Sequence, residues 1–370
     1  MMSLQGRLWK QWRSIGYKMT RDFSYYMPTK IVYKIGAINN LEEHISGRKV
    51  LLVTSQGHIK RGLLEKLKNI EIVEIVDDIK THPEFKDLEK IYEKILHIPY
   101  DSILAIGGGS VIDSAKYLSV CNAKKDKDFV TKLIKKKTKE DYLTKPIISI
   151  PTTAGTSSEI TPWATIWDMD EKKKYSLHLP ELFSQVAIYD PTLTLSVPKD
   201  ITVQTALDTL SHALESIWNK NANEITINYA IRSAKLVMEY LPKLVDDLEN
   251  LEYRDKIMKA SMYAGLAFSN TQTAIAHAMS YYITAYKNVP HGIACSFTLP
   301  MLIDKVIGKY EFVDNALKEI FGELSSEKLY KLLKDLQIST QFEDYDIDGK
   351  EKKDIEKTIY KNPRAQNSLI

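Results

Sequence analysis

Cysteine is scarce: Cys121 and Cys295 are the only two, they sit far apart, and neither belongs to a CxxC spacing, which excludes a disulfide scaffold. A reducing cytoplasm is the compartment this predicts. An excess of one charge is also missing. The 51 lysines and arginines nearly cancel the 48 acidic residues, and a net +3 is too small to make a nucleic acid or an anionic membrane the partner of the whole molecule. No apolar run is long enough to span a bilayer. The opening segment, MMSLQGRLWKQWRSIGYKMTRDF, lacks the continuous apolar core of a signal peptide, so neither insertion nor secretion is expected. Its arginines and tryptophans suit, as the alternative, a helix lying on a membrane surface. What remains is a chain of 370 residues, 44% hydrophobic and 27% charged, long enough for two buried cores.

The first half alternates short β-branched runs with amphipathic stretches. Lys49–Thr54 (KVLLVT), Ile70–Val76 and Ser102–Ile106 (SILAI) read as strands separated by helices, the rhythm of a parallel α/β sheet. Pro146–Ile150 (PIISI) is a further strand. The PTTAGTSSE that follows is too rich in turn formers for a helix interior and reads as a loop at a strand's C-terminal end, where open α/β sheets place ligands. From about Pro198 the β-rich runs stop, and apolar residues recur at helical spacing through TALDTLSHALESIW and EITINYAIRSAKLVMEYL. The lysine-rich stretches Lys124–Asp128 and Lys135–Asp141 read as a solvated surface insertion. The fold class expected is an α/β N-terminal dinucleotide-binding domain with a parallel sheet, followed by an all-α C-terminal metal-binding domain. The expected boundaries are an extension at 1–25, the α/β domain at 26–195 and the helical domain at 196–370.

Asp208 and His212 stand four residues apart in TALDTLSHALES, so on a helix both project from one face, roughly 6 Å apart along the axis. His277 and His291 are fourteen residues apart, and one continuous helix would separate them by roughly 20 Å. Asn288-Val289-Pro290 removes that obstacle. Proline lacks the amide donor and pushes its predecessor out of helical geometry, and Gly292 favours a tight backbone just beyond, so His291 can fold back toward the other ligands. One carboxylate and three imidazoles form an oxygen/nitrogen set suited to Fe²⁺ or Zn²⁺, with a coordination position left for a substrate oxygen.

After SILAI comes Gly107-Gly108-Gly109-Ser110 and then the helix-like VIDSAKYLSV, small residues where a strand turns into a helix. Backbone amides and the helix dipole there can bind a pyrophosphate, although glycine turns after strands also serve packing alone.

The ordered series GGGSVIDSAK, PTTAGTSSEITPWATIWD, AIYDPTLT, TALDTLSHALES, AFSN and HGIAC resembles the iron-containing (group III) alcohol dehydrogenase family. The resemblance runs from Pro28–Ile45 to KNPRAQNSL near the C-terminus. It implies the two-domain, dehydroquinate-synthase-like plan and the metal ligands Asp208, His212, His277 and His291, the same four that spacing selects. It further implies that Gly108, Gly109 and Ser110 meet the pyrophosphate. Thr152, Thr153 and Thr156 meet the phosphate, ribose or nicotinamide, and Lys174 the ribose side. Asp113 and Lys116 are either cofactor-region groups or helix-surface charges.

Relatives that prefer NADH commonly carry an acid after the second strand's VT, where this chain has Ser55. With Lys60 and Arg61 close by to receive a 2′-phosphate, NADPH is the favoured cofactor and NADH the other. Many relatives carry a further histidine four residues after the third ligand, where this chain has Tyr281, readable either as proton donor or as an aromatic wall. The segments ATIWD, ESIWNKN, SNTQTAIAHAMSY and VPHGIACSFTLP resemble the subgroup of phosphonoacetaldehyde reductases, which form 2-hydroxyethylphosphonate. Candidates for holding a phosphonate are Asn219, Lys220, Thr273 and Lys287, while Trp163 and Trp218 read as core. The resemblance implies metal-assisted reduction of a small aldehyde to a primary alcohol by NAD(P)H; pairing through the N-terminal strand near Ile31–Tyr33 is the expected route to a homodimer. A dehydroquinate-synthase-like lyase and a non-catalytic dinucleotide-binding protein are the competing classes.

Overall fold

The computed structural model describes residues 22–45, 48–171 and 173–370, and the surface-helix reading of the N-terminus falls almost wholly on residues outside these. Two compact units are present. One comprises Met27–Ala206 with Lys243–Gly265; the other comprises Leu207–Pro242 and Leu266–Ile370 together with the described residues before Met27. The end of the predicted extension is tied to the second unit, where the Tyr25 hydroxyl donates to the Leu266 carbonyl at 3.0 Å and the Tyr26 amide to Asn270 Oδ1 at 2.9 Å.

In the first unit, strands β1 (Lys30–Tyr33), β2 (Val50–Val53), β3 (Ile72–Val76), β4 (Ser102–Gly107), β7 (Ile147–Pro151) and β10 (Val186–Tyr189) form one all-parallel sheet in the order β1-β10-β7-β4-β2-β3. Two short antiparallel pairs complete it: β5 (Val120–Cys121) with β6 (Leu143–Thr144), and β8 (Trp163–Asp168) with β9 (Lys173–His178). The unbroken apolar run in β2 follows from burial on both faces. Leu51 and Val53 enter a core with Phe85, Leu88, Ile112 and Ala115, while Val50 and Leu52 enter the opposite one with Ile38, Leu41, Leu63 and Leu67. Each such Leu or Ile contributes about 1.5–3 kcal/mol by leaving water. Phe85, Leu88, Ile91, Tyr92 and Ile95 recur at helical spacing, so the helix Phe85–Ile95 turns all five inward.

The sheet order fixes where a ligand can sit. From β2 the chain moves outward to β3; from β4 it moves the other way, to β7. The loops leaving β2 and β4 therefore diverge and open a crevice at the strands' C-terminal ends.

The lysine-rich insertion is only partly as expected. Lys135 is not a solvated lysine: its ammonium lies 2.6 Å from Asp168 and 3.1 Å from Glu171, with 17% of the side chain exposed. Beyond Tyr189 the described residues form helices and turns, with one isolated bridge between Asn219 and Ser368. No helix among the described residues is long and apolar enough to cross a membrane.

Candidate active site

At the crevice, Gly107 ends β4, Gly108 is the N-cap of the helix Gly109–Ser119, and the loop after β7 closes over both. The Thr152 amide donates to the Gly107 carbonyl at 3.0 Å. A Cβ on Gly109 would stand 2.6 Å from Thr156 Oγ1 and 2.7 Å from its Cγ2; one on Gly108 would stand 3.2 Å from Thr153 Oγ1. Gly109 is thus required by the threonine loop whatever the ligand, and Gly108 is tightly covered by it, while the Val111 amide turns back to the Gly108 carbonyl at 3.0 Å. Ser110 turns its hydroxyl to the Thr81 carbonyl.

Ser55 follows β2 as the N-cap of the helix Gln56–Lys60. A Cβ at Gly57 would be 3.2 Å from Arg61 Nη1 and 3.7 Å from Ser55 Oγ, so the guanidinium and the serine hydroxyl both flank Gly57. His58 sets the guanidinium there. Its Nδ1 is 2.9 Å from Arg61 Nη2 and its Nε2 is 3.1 Å from Thr152 Oγ1, which joins the β2 and β7 loops. Burial first, and the Arg61 charge second, push the His58 pKa down to about 4.

Lys174, on β9 opposite Trp167, holds its ammonium 5.9 Å from that indole's centroid. The helix-surface reading of Lys116 is wrong. The side chain is fully buried, and its ammonium donates to the carbonyls of Ser158, Thr161 and Trp163 at 2.6, 2.8 and 2.7 Å. Asp113 accepts from the Thr165 amide at 2.8 Å and from the Ser158 hydroxyl. Both groups tie the threonine loop to the helix beneath it.

In the helical unit, the sequence-selected cluster assembles around one oxygen. Asp208 Oδ1 lies 3.3 Å from His277 Nε2, 3.8 Å from His212 Nε2 and 3.8 Å from His291 Nε2. The helix Lys199–Ile217 places Asp208 and His212 on one face; the helix Ile275–Lys287 carries His277 and ends at Asn288, whose φ of 55° is left-handed; the next helix begins at His291. The chain break is where the Asn-Val-Pro motif predicts it. The His212 ring stacks between Phe268 and His277, at centroid distances of 4.0 and 4.4 Å, so its orientation is fixed by packing.

Two residues of this cluster escape a search for histidines. Glu215 is buried and accepts from the amides of Ala274 and Ala276 at 2.8 and 2.5 Å and from His277 Nδ1 at 2.7 Å, fixing the ring with Nε2 toward Asp208. Cys295 Sγ lies 3.4 Å from Asp208 Oδ1. Helical spacing was the available signal: Glu215 follows Asp208 by seven residues and His212 by three, and Cys295 follows His291 by four.

Burial alone would raise the Asp208 carboxyl, but His212, the His277 hydrogen bond and His291 together hold it far below the usual carboxylate range. For His277, burial disfavours the imidazolium, yet Glu215 and Asp208 push its pKa up to about 9. Burial and then the Asp208 charge push the Cys295 thiol well up. A carboxylate oxygen ringed by three imidazole nitrogens at 3.3–3.8 Å fits a metal centre, since ligands about 2.0–2.2 Å from one ion stand roughly 3–4 Å apart.

Tyr281 stacks on His291 at a centroid distance of 6.4 Å, and Arg364 Cζ lies 5.8 Å from the tyrosine's centroid. Arg364 Nη1 donates to Thr273 Oγ1 at 3.0 Å. The predicted phosphonate lysines are engaged elsewhere: Lys220 Nζ donates to the Gln366 carbonyl at 2.6 Å, and Lys287 Nζ to the Asp346 carbonyl at 2.6 Å and to Glu351 at 2.9 Å. Asn219 donates to the Gln272 carbonyl at 3.2 Å. Trp218 is fully buried, as a core residue should be.

Residues 28–191 match the family described as iron-containing alcohol dehydrogenase, and residues 202–367 match the C-terminal part of the Fe-containing alcohol dehydrogenase family. The chain is 31% identical to an NAD-dependent methanol dehydrogenase of Bacillus methanolicus, over 75% of this chain and 74% of that one. It is also 31% identical to an aldehyde-alcohol dehydrogenase of Streptococcus pneumoniae, over 75% of this chain, and spans only 33% of that relative's length. Among solved structures, a sulfoacetaldehyde reductase from Bifidobacterium kashiwanohense in complex with NAD⁺ superposes with a TM-score of 0.86 at 28% identity, covering 94% of this chain and 95% of that one. The chain belongs to the iron-containing alcohol dehydrogenase family.

Proposed function

We propose that this protein reduces a small aldehyde to a primary alcohol with NAD(P)H, reversibly, at a metal ion held by Asp208, His212, His277 and His291. The observation that carries this is the single buried carboxylate oxygen with three imidazole nitrogens around it. Fe²⁺ is the ion we favour, and Zn²⁺ suits the same donors. When bound, the metal supplies Lewis acidity toward the carbonyl and the nicotinamide supplies the hydride.

The protein's own residues do the rest. Glu215 fixes the His277 tautomer and direction, and Phe268 fixes His212. Tyr281, beside His291, is the group we assign to delivering the proton to the alkoxide oxygen. Gly108, Gly109 and Ser110 receive the pyrophosphate at the helix N-terminus. Thr152, Thr153, Thr156 and Lys174 line the remainder of the dinucleotide. Dinucleotide binding is assigned to residues 26–195 and metal binding to 196–370. Ser55, with Arg61 held beside Gly57 in the same turn by His58, favours NADPH, because a serine does not repel a 2′-phosphate and a guanidinium attracts it.

For the substrate we favour an aldehyde with an anionic tail, phosphonoacetaldehyde giving 2-hydroxyethylphosphonate. Two observations support it: the sulfoacetaldehyde reductase among similar structures, and Arg364, a cation set over Tyr281. A homodimer paired along the edge strand β1, in a reducing cytoplasm, completes the proposal.

The test is the metal-loaded enzyme assayed with NADPH and NADH on phosphonoacetaldehyde, sulfoacetaldehyde and an uncharged aldehyde of similar size. We expect kcat/KM about 10- to 100-fold higher for phosphonoacetaldehyde than for the uncharged aldehyde, the worth of one or two charge-assisted hydrogen bonds. Equal values would leave a general alcohol dehydrogenase, and a strong NADH preference would refute the role of Ser55 and Arg61. Turnover without net cofactor oxidation would point to a lyase instead.

A further inference from the structure

Cys295 occupies a place in the metal cluster that no histidine-based ligand set assigns. It follows His291 by four residues on the helix His291–Ser296, so both side chains leave from one side of that helix. The residue is fully buried, and Ser211 Oγ donates to its carbonyl at 2.9 Å, anchoring this helix to the one that carries Asp208. One donor atom each from Asp208, His277, His291 and Cys295 lie within 4.8 Å of one another.

The thiol approaches Asp208 Oδ1, the same oxygen that the three imidazole nitrogens surround. At 3.4 Å the sulfur is as near to Oδ1 as the imidazole nitrogens are, a separation that two ligands of one ion share. We infer that Cys295 is a further donor to the metal ion, a soft sulfur ligand that raises the centre's preference for Zn²⁺ over Fe²⁺ relative to the same cluster without it. The inference rests on the metal site proposed above. As the metal–sulfur bond forms, the thiol's S–H bond breaks and the proton leaves to bulk water.

The test uses the full chain, stripped of metal and reloaded with one equivalent of Co²⁺ as the probe. A sulfur-to-cobalt charge-transfer band in the near ultraviolet is expected. It should vanish in Cys295→Ser and persist in Cys121→Ser, because Cys121 lies on strand β5 of the other unit. With Zn²⁺ loaded instead, X-ray absorption should find one sulfur at about 2.3 Å. In competition dialysis, the Zn²⁺-to-Fe²⁺ occupancy ratio of Cys295→Ser should fall at least about tenfold, a change as large as outer-shell partners produce. Stoichiometric Co²⁺ showing only oxygen and nitrogen ligation would overturn the sulfur donor while leaving the Asp208 site intact. Failure of the wild type to bind Co²⁺ at all would overturn the site itself, and the inference with it. Should Cys295→Ser not fold, the wild-type and Cys121→Ser spectra decide.

Discussion

Replacing Glu215 with glutamine keeps the side chain's shape and removes its charge, which isolates what the carboxylate does. Both carboxylate oxygens are in use: one accepts from the Ala276 amide, the other from the Ala274 amide and from His277 Nδ1. Glutamine offers one oxygen and one NH₂, so at least one buried donor loses its acceptor and meets another donor. That costs about 1–3 kcal/mol of folding stability. The same change frees the His277 ring to rotate or to take the other tautomer. Loss of such an outer-shell partner lowers metal affinity about 10- to 100-fold, or roughly 1.4–2.8 kcal/mol. Equilibrium competition against a chromophoric chelator measures the second effect, and denaturant unfolding of the metal-free protein measures the first. A Glu215→Gln protein that binds Zn²⁺ within about threefold of wild type would show that His277 is oriented by packing and not by this carboxylate.

Three further outcomes are expected. Gly109→Ala should destabilise the sheet unit by about 1–3 kcal/mol, because the new Cβ would stand 2.6, 2.7 and 3.0 Å from Thr156 Oγ1, Cγ2 and Cβ, and the Gly109→Ala/Thr156→Gly double variant should be less destabilised than the sum of its two single variants; strictly additive losses in thermal unfolding would refute the packing account. Lys116 is fully buried and burial pushes its pKa down to about 8, so the folded state holds fewer protons than the unfolded state between there and the ordinary lysine value of 10.5. Wild-type stability relative to Lys116→Met should therefore rise with pH across that window, by up to about 3 kcal/mol, and be lost as pH falls back through 8; a flat difference in denaturant midpoints would contradict it. Tyr281→Phe should lower kcat by about 10²- to 10⁴-fold and alter its pH profile if the hydroxyl delivers the proton. Unchanged kcat and profile would make Tyr281 a wall of the pocket.

Several features were legible because their physics is local. The strand KVLLVT needs both faces buried, and a run without alternation says so before any partner is known. Asp208 and His212 share a helix face by spacing alone, and a proline three residues past a helix end stops it wherever it occurs. The N-terminal residues of the Gly109–Ser119 helix were readable from glycine's lack of a side chain. Other features depend on segments far apart in sequence. Lys116 reads as a surface charge on its own helix, and only the carbonyls of Ser158, Thr161 and Trp163, more than forty residues on, make it a buried tie. Lys220 and Lys287 read as free cations until Gln366, Asp346 and Glu351 arrive to hold them.

The sequence by itself determined the parallel α/β start, the helical end, the helix break before His291 and the four side chains that meet around one carboxylate oxygen. Periodicity and backbone chemistry act within a few residues, so no other part of the chain is needed to read them. Only the tertiary structure decided which further atoms join that cluster. Asp208 and Cys295 are separated by 87 residues, and Glu215 and His277 by 62, yet a 3.4 Å and a 2.7 Å contact join them. Such contacts depend on how separate helices pack, a property of their combined surfaces and not of either segment alone.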